Sequence, residues 1–368
     1  MTRLTEETRY QIALTMTPGV GDTAAKNLLS YCGSAEAVFK TPKTKLKNIP
    51  GIGEKTAETI WKKDFFDRVE EELLFIDKYK IEVLFCTDHA FPKRLKECVD
   101  SPVLLYYRGN ADLNQTKILG VVGTRNATDY GKVFIKKMMT DLADQNILIL
   151  SGLAYGIDTI AHKKALENGL QTVGVLGHGL NHLYPAQNKT LAKQMLAHGG
   201  LLTELSSTSQ MLPSNFPQRN RIVAGMCDAL LVVESATKGG ALITANIANS
   251  YNKDVFALPG NVYDKYSQGC NFLIKTHKAY IIENAEDILV SMNWSNEIIK
   301  PKAQKQLLLN FNAKEKKIVD ILKEHPQLEI DVLMKLLKSN HSEYSATLLE
   351  LEMNGVIVSL PGKSYKLS

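Results

Sequence analysis

Between residues 115 and 290 the sequence alternates short apolar runs with segments of helical periodicity, and this alternation restricts the possible folds most strongly. The apolar runs lie at 118–122, 147–150, 172–176, 201–203, 229–233, 255–258 and 279–282. The helical segments lie at 132–144, 158–168, 189–197, 219–227, 242–252, 270–276 and 285–291. Apolar strands joined by helices are typical of a mostly parallel sheet that is covered on both faces. The sequence therefore predicts an α/β, Rossmann-like core.

Two further apolar runs, IEVLFC and PVLLYYRG, come before this alternating region. They predict two more strands, which would extend the sheet at one edge. We assign residues 71–292 to this extended Rossmann-like domain. A chain of 368 residues exceeds the usual size of one hydrophobic core, so additional domains are expected at its ends.

Residues 1–70 are organised by two similar phrases, TPGVGDTAAKNLL at 17–29 and IPGIGEKTAETIW at 49–61. Each phrase resembles a helix-hairpin-helix motif, so an all-α, SAM-like domain is expected. Such a turn exposes backbone N–H groups at the start of its second helix, where a phosphate oxygen can bind. The second hairpin is a secondary DNA-binding candidate through Gly51, Gly53, Lys55 and Thr56. The alternative is that both hairpins only hold a small helical bundle together.

The C-terminal part is expected to begin after a linker at residues 293–311. Residues 312–368 contain three helical segments at 314–324, 330–337 and 342–353, followed by two short strands around Pro361 and Gly362. This order predicts a winged-helix-like domain. From residue 311 to the end there are eight lysines and eight acidic residues. Without excess cations the phosphate attraction that dominates DNA binding is missing, so a role in protein contacts is favoured.

Composition and charge exclude several classes of protein. The net charge of +5 permits a polyanionic partner without requiring one. The five cysteines are an odd number without C-x-x-C spacing, and His178 and His182 lack a third ligand at zinc-like spacing. No metal and no cofactor are therefore expected. The chain also lacks a signal-peptide pattern and a run of about 18 apolar residues, which favours a cytoplasmic protein without a membrane partner.

Four glycine-rich turns follow apolar strands of the core. They are GTRNATDYG at 123–131, SGLAYGID at 151–158, GHGLNHLYPAQN at 177–188 and ESATKGGALITA at 234–245. In an open parallel sheet such turns meet at the carboxyl ends of the strands, where ligands bind. Their amide groups and helix N-termini favour anions, and the planar fork of Arg125 can grip a phosphate. The four turns together predict a groove for a phosphate chain.

Two enzyme classes compete with this interpretation. A nicotinamide oxidoreductase is disfavoured because the first turn lacks the G-x-G-x-x-G pattern. The phrase ESATKGGALITANIA resembles the phosphate turn of the phosphoribohydrolase family, in which an arginine and a glutamate act at the ribose. Candidates for that chemistry are Glu204 or Glu234 with Arg219 or Arg221. For Glu234 we favour a different role, fixing a loop by hydrogen bonds.

A nearly unbroken series of phrases between residues 119 and 261 resembles the DprA/Smf family of DNA-processing proteins of natural transformation. The phrases include GVVGTRNATDYG, SGLAYGIDTIAHKKAL, TVGVLGHGLNHLYPAQN, FPQRNRIVAGMCDALLVVES and KGGALITANIA. The resemblance implies a protein that binds single-stranded DNA, protects it and loads the RecA recombinase. It also implies a homodimer, and a protein that is not an enzyme and has no catalytic residues.

The glycine turns and the resemblance together give one set of expected DNA-binding residues. The set is Gly123, Thr124, Arg125, Ser151, Gly152, Lys189, Arg219, Asn220, Arg221, Gly239, Gly240 and Thr244. One departure from the family concerns the third turn, where relatives often carry a lysine after tyrosine-proline. This chain has Ala186 and Gln187 there, and whether Lys189 replaces the missing lysine is left open.

The expected groove has a cationic rim and one or two aromatic side chains. The rim residues are Arg125, Lys163, Lys189, Arg219, Arg221 and Lys238. Tyr184 or Phe216 could stack on a base, although we favour the core for Phe216. His162 is expected to be a structural, hydrogen-bonding histidine. A groove of this kind would follow one backbone without reading bases and would disfavour a rigid duplex.

Overall fold

The computed structural model describes residues 5–295, 311–325, 327–360 and 363–367. The chain divides into two compact units, residues 1–296 and residues 297–368, and each is described by itself. Most of the expected linker at 293–311 lies outside the described residues, as do Pro361 and Gly362. Among the described helices, none has the length and apolar character required to span a membrane.

The N-terminal part of the first unit is helical, as the two hairpin phrases predict. Its helices are α1 (Glu6–Met16), α2 (Asp22–Cys32), α3 (Ala35–Lys40), α4 (Lys43–Leu46), α5 (Glu54–Lys62) and α6 (Phe66–Tyr79). The domain boundary at residue 70 stays a prediction. Since α6 runs through residue 70 without a break, a continuous helix joins the helical part to the sheet.

The core of the first unit is a single mixed sheet. Its strands are β1 (Glu82–Phe85), β2 (Leu104–Gly109), β3 (Ile118–Val122), β4 (Leu148–Ser151), β5 (Thr172–Val175), β6 (Gly199–Thr203), β7 (Ala229–Val232), β8 (Asp254–Ala257) and β9 (Tyr280–Ile281). Within residues 5–295 their order is β1-β2-β6-β5-β4-β3-β7-β8-β9. The pairs β1–β2 and β2–β6 are antiparallel and the other pairs are parallel. The predicted parallel core with an extended edge is thus confirmed.

Helices cover both faces of this sheet. They are α7 (Lys93–Lys96), α8 (Asp129–Asp141), α9 (Ile157–Glu167), α10 (Lys189–Ala197), α11 (Asn215–Met226), α12 (Gly240–Ser250), α13 (Gln268–Lys275) and α14 (Ala285–Ser291). Successive side chains of a strand point to opposite faces, and the two apolar clusters follow this rule. In β4, Leu148 and Leu150 join one cluster and Ile149 joins the other.

The antiparallel extension is buried by the N-terminal helices. In β1, Leu84 faces the same cluster as the core helices, whereas Val83 and Phe85 pack with the helical domain. In β2, Leu105 packs in the cluster of the core helices and Tyr106 packs with the helical domain. Helical domain and sheet therefore share one apolar cluster instead of being joined by a flexible connection.

The order of the strands creates a topological switch point beside β3. From β3 the chain steps outward through β4, β5 and β6, and then returns to place β7 on the other side of β3. The turns after β3 and β7 leave the sheet in opposite directions, which opens a crevice between them. The topology thus places the first and fourth glycine turns side by side.

The second unit has the predicted winged-helix order. It contains α15 (Ala313–Glu324), β10 (Leu328–Glu329), α16 (Ile330–Leu337), α17 (His341–Met353), β11 (Ile357–Leu360) and β12 (Ser364–Leu367). The strands pair in the order β10-β12-β11, and the short β10 was not predicted. Side chains from all three helices, including Ile318, Leu333 and Leu348, form a separate apolar core.

The two hairpins have the same backbone geometry but different surroundings. Gly19 and Gly51 both adopt φ of +82°, a left-handed conformation that favours glycine, and α2 and α5 begin directly after Gly21 and Gly53. In the first hairpin Asp22 accepts a hydrogen bond of 3.1 Å from the Val103 N–H. The equivalent residue of the second hairpin, Glu54, is exposed.

Further polar contacts fix the first hairpin to the sheet. The Lys26 ammonium donates to the Ser101 hydroxyl at 2.9 Å, and Asp22 pairs with Arg221 at 3.1 Å. Arg221 in turn contacts the half-buried Glu204 at 2.5 Å. The first hairpin therefore braces the core, whereas Lys55 of the second hairpin is exposed and Thr56 lies half-buried near Gly19.

Alanine substitution at the two equivalent hairpin positions should have unequal effects. Asp22→Ala removes an acceptor from Val103 and one partner from Arg221, so we expect the free energy of unfolding to fall by about 2 kcal/mol. Glu54→Ala removes an exposed carboxylate and should cost less than about 0.5 kcal/mol. Urea unfolding at neutral pH measures both values. Equal losses would contradict the docking of the first hairpin.

Desolvation of the Glu204 carboxyl makes stability depend on pH. Burial raises the pKa of Glu204 to about 7, with Arg221 opposing this shift and Asp22 and Asp100 adding to it. A carboxyl pKa that is raised in the folded state stabilises the fold at low pH. This contribution is lost as pH rises from the unfolded pKa of about 4.3 through the folded value.

The free energy of unfolding of Glu204→Gln should therefore lie furthest below that of wild type at acid pH. The variant lacks the proton uptake that stabilises the wild-type fold, so its deficit should shrink by about 2 kcal/mol between about pH 5 and pH 8. Urea titrations at several pH values give this difference directly. A deficit that is constant across the range would exclude a raised pKa for Glu204.

Candidate nucleic-acid interface

A groove of about 790 Å³ lies at the switch point, along the carboxyl ends of the parallel strands. All four glycine turns contribute to its lining, through Gly123 to Asn126, Ala154 and Asp158, Tyr184, and eight of the residues from Ser235 to Thr244. The prediction that these turns meet at one edge of the sheet is confirmed. The expected contacts between individual lining residues and DNA stay predictions.

The first turn is held rigidly between its neighbours. The Thr124 N–H donates to the Glu234 carbonyl oxygen at 2.7 Å, and the Thr124 carbonyl oxygen accepts from the Ile157 N–H at 3.1 Å. Gly123 permits this approach, because a Cβ atom there would lie 2.5 Å from the Ile157 side chain. The turn therefore presents Arg125 from a fixed backbone.

Three exposed cations line the groove. They are Arg125 on the first turn, Lys238 on the fourth turn, and Lys265 on the loop after β8. Among the described residues none of the three forms an ion pair with an acid. The acidic residue of the lining, Asp158, is buried beside Arg219. The groove consequently has a positive field suited to a polyanion.

Glu234 has the loop-fixing role that the sequence favours. Its buried carboxylate accepts from the Thr128 N–H at 3.0 Å and from the Thr128 hydroxyl at 2.5 Å. Gly131 lies directly against this carboxylate and leaves no space for a Cβ atom. Glu234 is therefore occupied with the first turn and does not face the groove.

The fourth turn presents the start of α12 to the groove. Gly239 and Gly240 are exposed, and no side chain caps the first backbone N–H groups of this 11-residue helix. Thr244 is buried, and its hydroxyl donates to the Gly240 carbonyl oxygen at 2.9 Å. Asn220 lies nearby, with its amide nitrogen 3.4 Å from the same oxygen. Thr244 and Asn220 thus support the turn, while the glycines supply the open surface.

The sequence predicts Arg219 on the exposed rim of the groove, but the structure places it below the surface. Its guanidinium is buried, with 6% of the residue exposed, and donates to the Val175 carbonyl oxygen. It packs against Gly152, where a Cβ atom would overlap it, and beside the buried Asp158. Burial lowers the pKa of Arg219 to about 10, so the group stays charged at neutral pH. Arg219 forms the floor of the groove.

Two other residues of the expected DNA-binding set are buried or paired with protein groups. Ser151 is fully buried and its hydroxyl donates to the Val121 carbonyl oxygen at 2.6 Å, which ties β4 to β3. Arg221 lies outside the groove lining and holds Asp22 and Glu204. These side chains are used by the fold, because Ser151 bonds a neighbouring strand and Arg221 pairs with two carboxylates.

Lys189 and Lys163 are exposed but do not line the groove. Lys189 begins α10 and Lys163 lies on α9. Their expected place on the rim is therefore not observed. On the same helix as Lys163, His162 is buried with its Nδ1 atom 2.6 Å from the Thr172 hydroxyl, and burial lowers its pKa to about 3. The structural role predicted for His162 is confirmed.

Aromatic side chains form one wall of the groove. Tyr184 is 41% exposed and makes edge contacts with Phe216 at 5.6 Å and with Tyr155 at 6.2 Å between ring centroids. The Tyr184 N–H donates to Nε2 of the buried His178 at 3.1 Å, so this nitrogen is an acceptor. Phe216 is half-buried and lines the groove, rather than belonging wholly to the core.

Sequence reasoning missed the loop after β8 and the segment before α11. The loop supplies Lys265 and Tyr266, whose hydroxyl accepts from the Asn126 amide at 3.0 Å. The segment supplies Met211 and Pro213. Neither stretch is one of the four glycine-rich turns, although the position of Lys265 after a parallel strand was a usable signal.

The residues considered for hydrolase chemistry are not assembled in the groove. Glu204 and Arg221 pair with each other beside a separate cavity of about 260 Å³, and Glu234 is bonded to Thr128. Asp158 accepts from the Gly152 and Ala154 N–H groups at 3.1 and 3.3 Å. The described carboxylates near the groove therefore hold backbone segments in place.

Comparison with known proteins gives three family matches along the chain. The model of DNA recombination-mediator protein A matches residues 82–293, the SAM-like helix-hairpin-helix tandem matches 12–62, and the DprA winged helix domain matches 301–363. Protein Smf of Synechocystis sp. is 31% identical, with 98% of each chain covered. Protein Smf of Escherichia coli is also 31% identical, with 81% of each chain covered.

Two solved structures support the same relationship. DprA of Streptococcus pneumoniae superposes with a TM-score of 0.68 at 31% identity, covering 78% of this chain and 98% of that one. DprA of Helicobacter pylori, described in terms of its single-stranded DNA binding mode, gives a TM-score of 0.53 at 26% identity, covering 58% and 96%. The chain therefore belongs to the DprA/Smf family of DNA-processing proteins.

Proposed function

We propose that the chain binds single-stranded DNA in the groove at the switch point. One observation carries this proposal: Arg125, Lys238 and Lys265 surround the open start of α12 without acidic partners among the described residues. Exposed cations bind phosphates, and helix N-terminal amides add donors for anionic oxygens. The relative from Helicobacter pylori, whose structure concerns single-stranded DNA binding, supports the same ligand.

The groove favours single strands over duplex DNA. Cations and backbone amides lie along it, and the aromatic wall of Tyr184 and Phe216 stands beside them. Such a surface takes one sugar–phosphate chain together with its unstacked bases, and aromatic side chains stack on any base. Paired bases of a rigid duplex cannot reach the wall in this way. The preference would be for strandedness, not for sequence.

We infer that the bound strand is protected and passed to the RecA recombinase in the cytoplasm. The description of the matching family as a recombination mediator supports this step. We propose no catalytic step, because the carboxylates near the groove accept hydrogen bonds from backbone and side-chain donors. The second hairpin, with Gly51, Gly53 and Lys55 exposed, is a secondary DNA contact.

We also propose that the protein works as a homodimer through the outer edge of the sheet at β9. Phe272 on α13 and Tyr280 and Ile281 on β9 are each at least half exposed. The Tyr280 ring contacts Phe256, so the exposed residues continue a buried apolar layer. An apolar surface at the free edge of a sheet is suited to pairing with a second copy.

Arg125→Ala should weaken binding of labelled oligo-dT and reduce its dependence on salt. One lost phosphate contact should flatten the slope of log K against log salt by about 0.7 for a single strand. Lys238→Ala should act in the same direction. Lys163→Ala, which removes an exposed cation outside the groove, is the matched control and should leave the slope unchanged. Wild-type affinity and slope in Arg125→Ala would refute the proposed site.

Phe272→Asp should shift the protein towards monomer in sedimentation velocity at rising concentration. A charge on this face cannot be buried against a second copy without a large desolvation cost. The control is Val99→Asp, which places the same charge at another exposed apolar position. A dimer that survives Phe272→Asp, or is lost equally in Val99→Asp, would count against an interface at this edge.

A further inference from the structure

One wall of the groove is supplied by the segment between β6 and α11, which carries Met211 and Pro213 and leads into Phe216. The segment begins with a tight turn, in which the Ser209 N–H donates to the Ser206 carbonyl oxygen at 3.1 Å. The hydroxyls of Ser206 and Ser209 lie 2.9 Å apart. This turn lies at the start of the segment that forms the wall.

A carboxylate from the helical domain holds that turn. Glu72 lies on α6 and is 1% exposed. Its two oxygens accept from the Ser207 N–H at 3.0 and 2.9 Å, and one accepts from the Ser207 hydroxyl at 2.5 Å. No lysine or arginine of the described chain forms an ion pair with Glu72. Burial raises the pKa of Glu72, and the bonds to Ser207 oppose that shift.

The energetics of Glu72 point to a positioning role. A buried carboxylate without a cation carries a desolvation cost that only well-formed hydrogen bonds offset. Hydrogen bonds to an ionised acceptor are about twice as strong as neutral ones. The turn therefore cannot move away from α6 without leaving the charge unsatisfied, and this restricts the wall to one arrangement.

The same turn supports the loop at residues 177–185, which carries Tyr184. Gly179 lies against Ser206, and a Cβ atom on Gly179 would overlap the Ser206 carbonyl oxygen. Gly179 also accepts, through its carbonyl oxygen, from Nδ1 of His178 at 2.9 Å, and His178 holds the backbone of Tyr184. Both loops that carry the wall, residues 177–185 and 204–217, thus rest on the turn that Glu72 fixes.

We propose that Glu72 is a positioning residue for the groove, through which the helical domain sets the place of Tyr184 and Phe216. The DNA part of this inference rests on the proposed function. Glu72 touches no lining residue itself and acts through Ser207 and Gly179. The helical domain would then contribute to single-strand binding even without contacting the strand.

The test uses the full chain with Glu72→Leu, Glu72→Gln and the control Glu71→Gln, which changes the exposed neighbour on the same helix. We expect Glu72→Leu to raise the dissociation rate of oligo-dT by about tenfold, which corresponds to losing one base stack. Glu72→Gln should have a smaller effect, because its amide oxygen still accepts from Ser207. The salt slope should stay at the wild-type value, since no phosphate contact is lost.

Hydrogen exchange separates positioning from general stability. In Glu72→Leu and Glu72→Gln, faster exchange should be confined to residues 177–185 and 204–217. Faster exchange throughout the first unit would overturn the proposal in favour of a merely stabilising role. The proposal would also be overturned if exchange in residues 177–185 and 204–217 became faster while the dissociation rate of oligo-dT stayed at the wild-type value. If wild type fails to bind oligo-dT, the proposed function falls, and exchange in the variants still decides whether Glu72 fixes both loops.

Discussion

Parallel hydrogen bonding of β3 to strands on both sides is the constraint on which the rest of the structure depends. Because β4 and β7 both run parallel to β3, their carboxyl ends lie at one edge of the sheet. Turns that are far apart in sequence, near residues 124, 154 and 239, consequently line a single groove. Burial of the strands on both faces leaves the turns as the place for polar groups. The groove is a consequence of topology, and its side chains decide what it can hold.

Burial divides the arginines around this groove into different roles. Arg125 is exposed and has no acidic partner among the described residues, so its donors are available to a phosphate. Arg219 is buried under Gly152 and supports the floor. Arg221, two residues further along α11, is turned towards Asp22 and Glu204. A guanidinium that is buried or paired in this way supports the surrounding structure, whereas an exposed one has donors that face the groove.

The helical domain shows how two copies of one motif take different roles. Both hairpins have the same glycine conformation, but only the first is docked on the sheet through Asp22 and Lys26. Another residue of the domain, Glu72, lies buried against Ser207 at the base of the groove wall. The domain is therefore part of the support of the groove, and its second hairpin keeps an open helix start.

The sequence by itself determined the class of fold, the positions of the core strands to within about two residues, and the four turns at one edge of the sheet. These features follow from local apolar periodicity and from glycine, which act over a few neighbouring residues. It also indicated the loop-fixing role of Glu234 and the structural role of His162. Only the tertiary structure decided that Ser151 and Arg219 are buried, that Arg221 pairs across domains, and that Lys265 and Tyr266 join the groove. The reason is that burial and pairing depend on residues distant in sequence, such as Asp22 for Arg221, and local pattern carries no information about them.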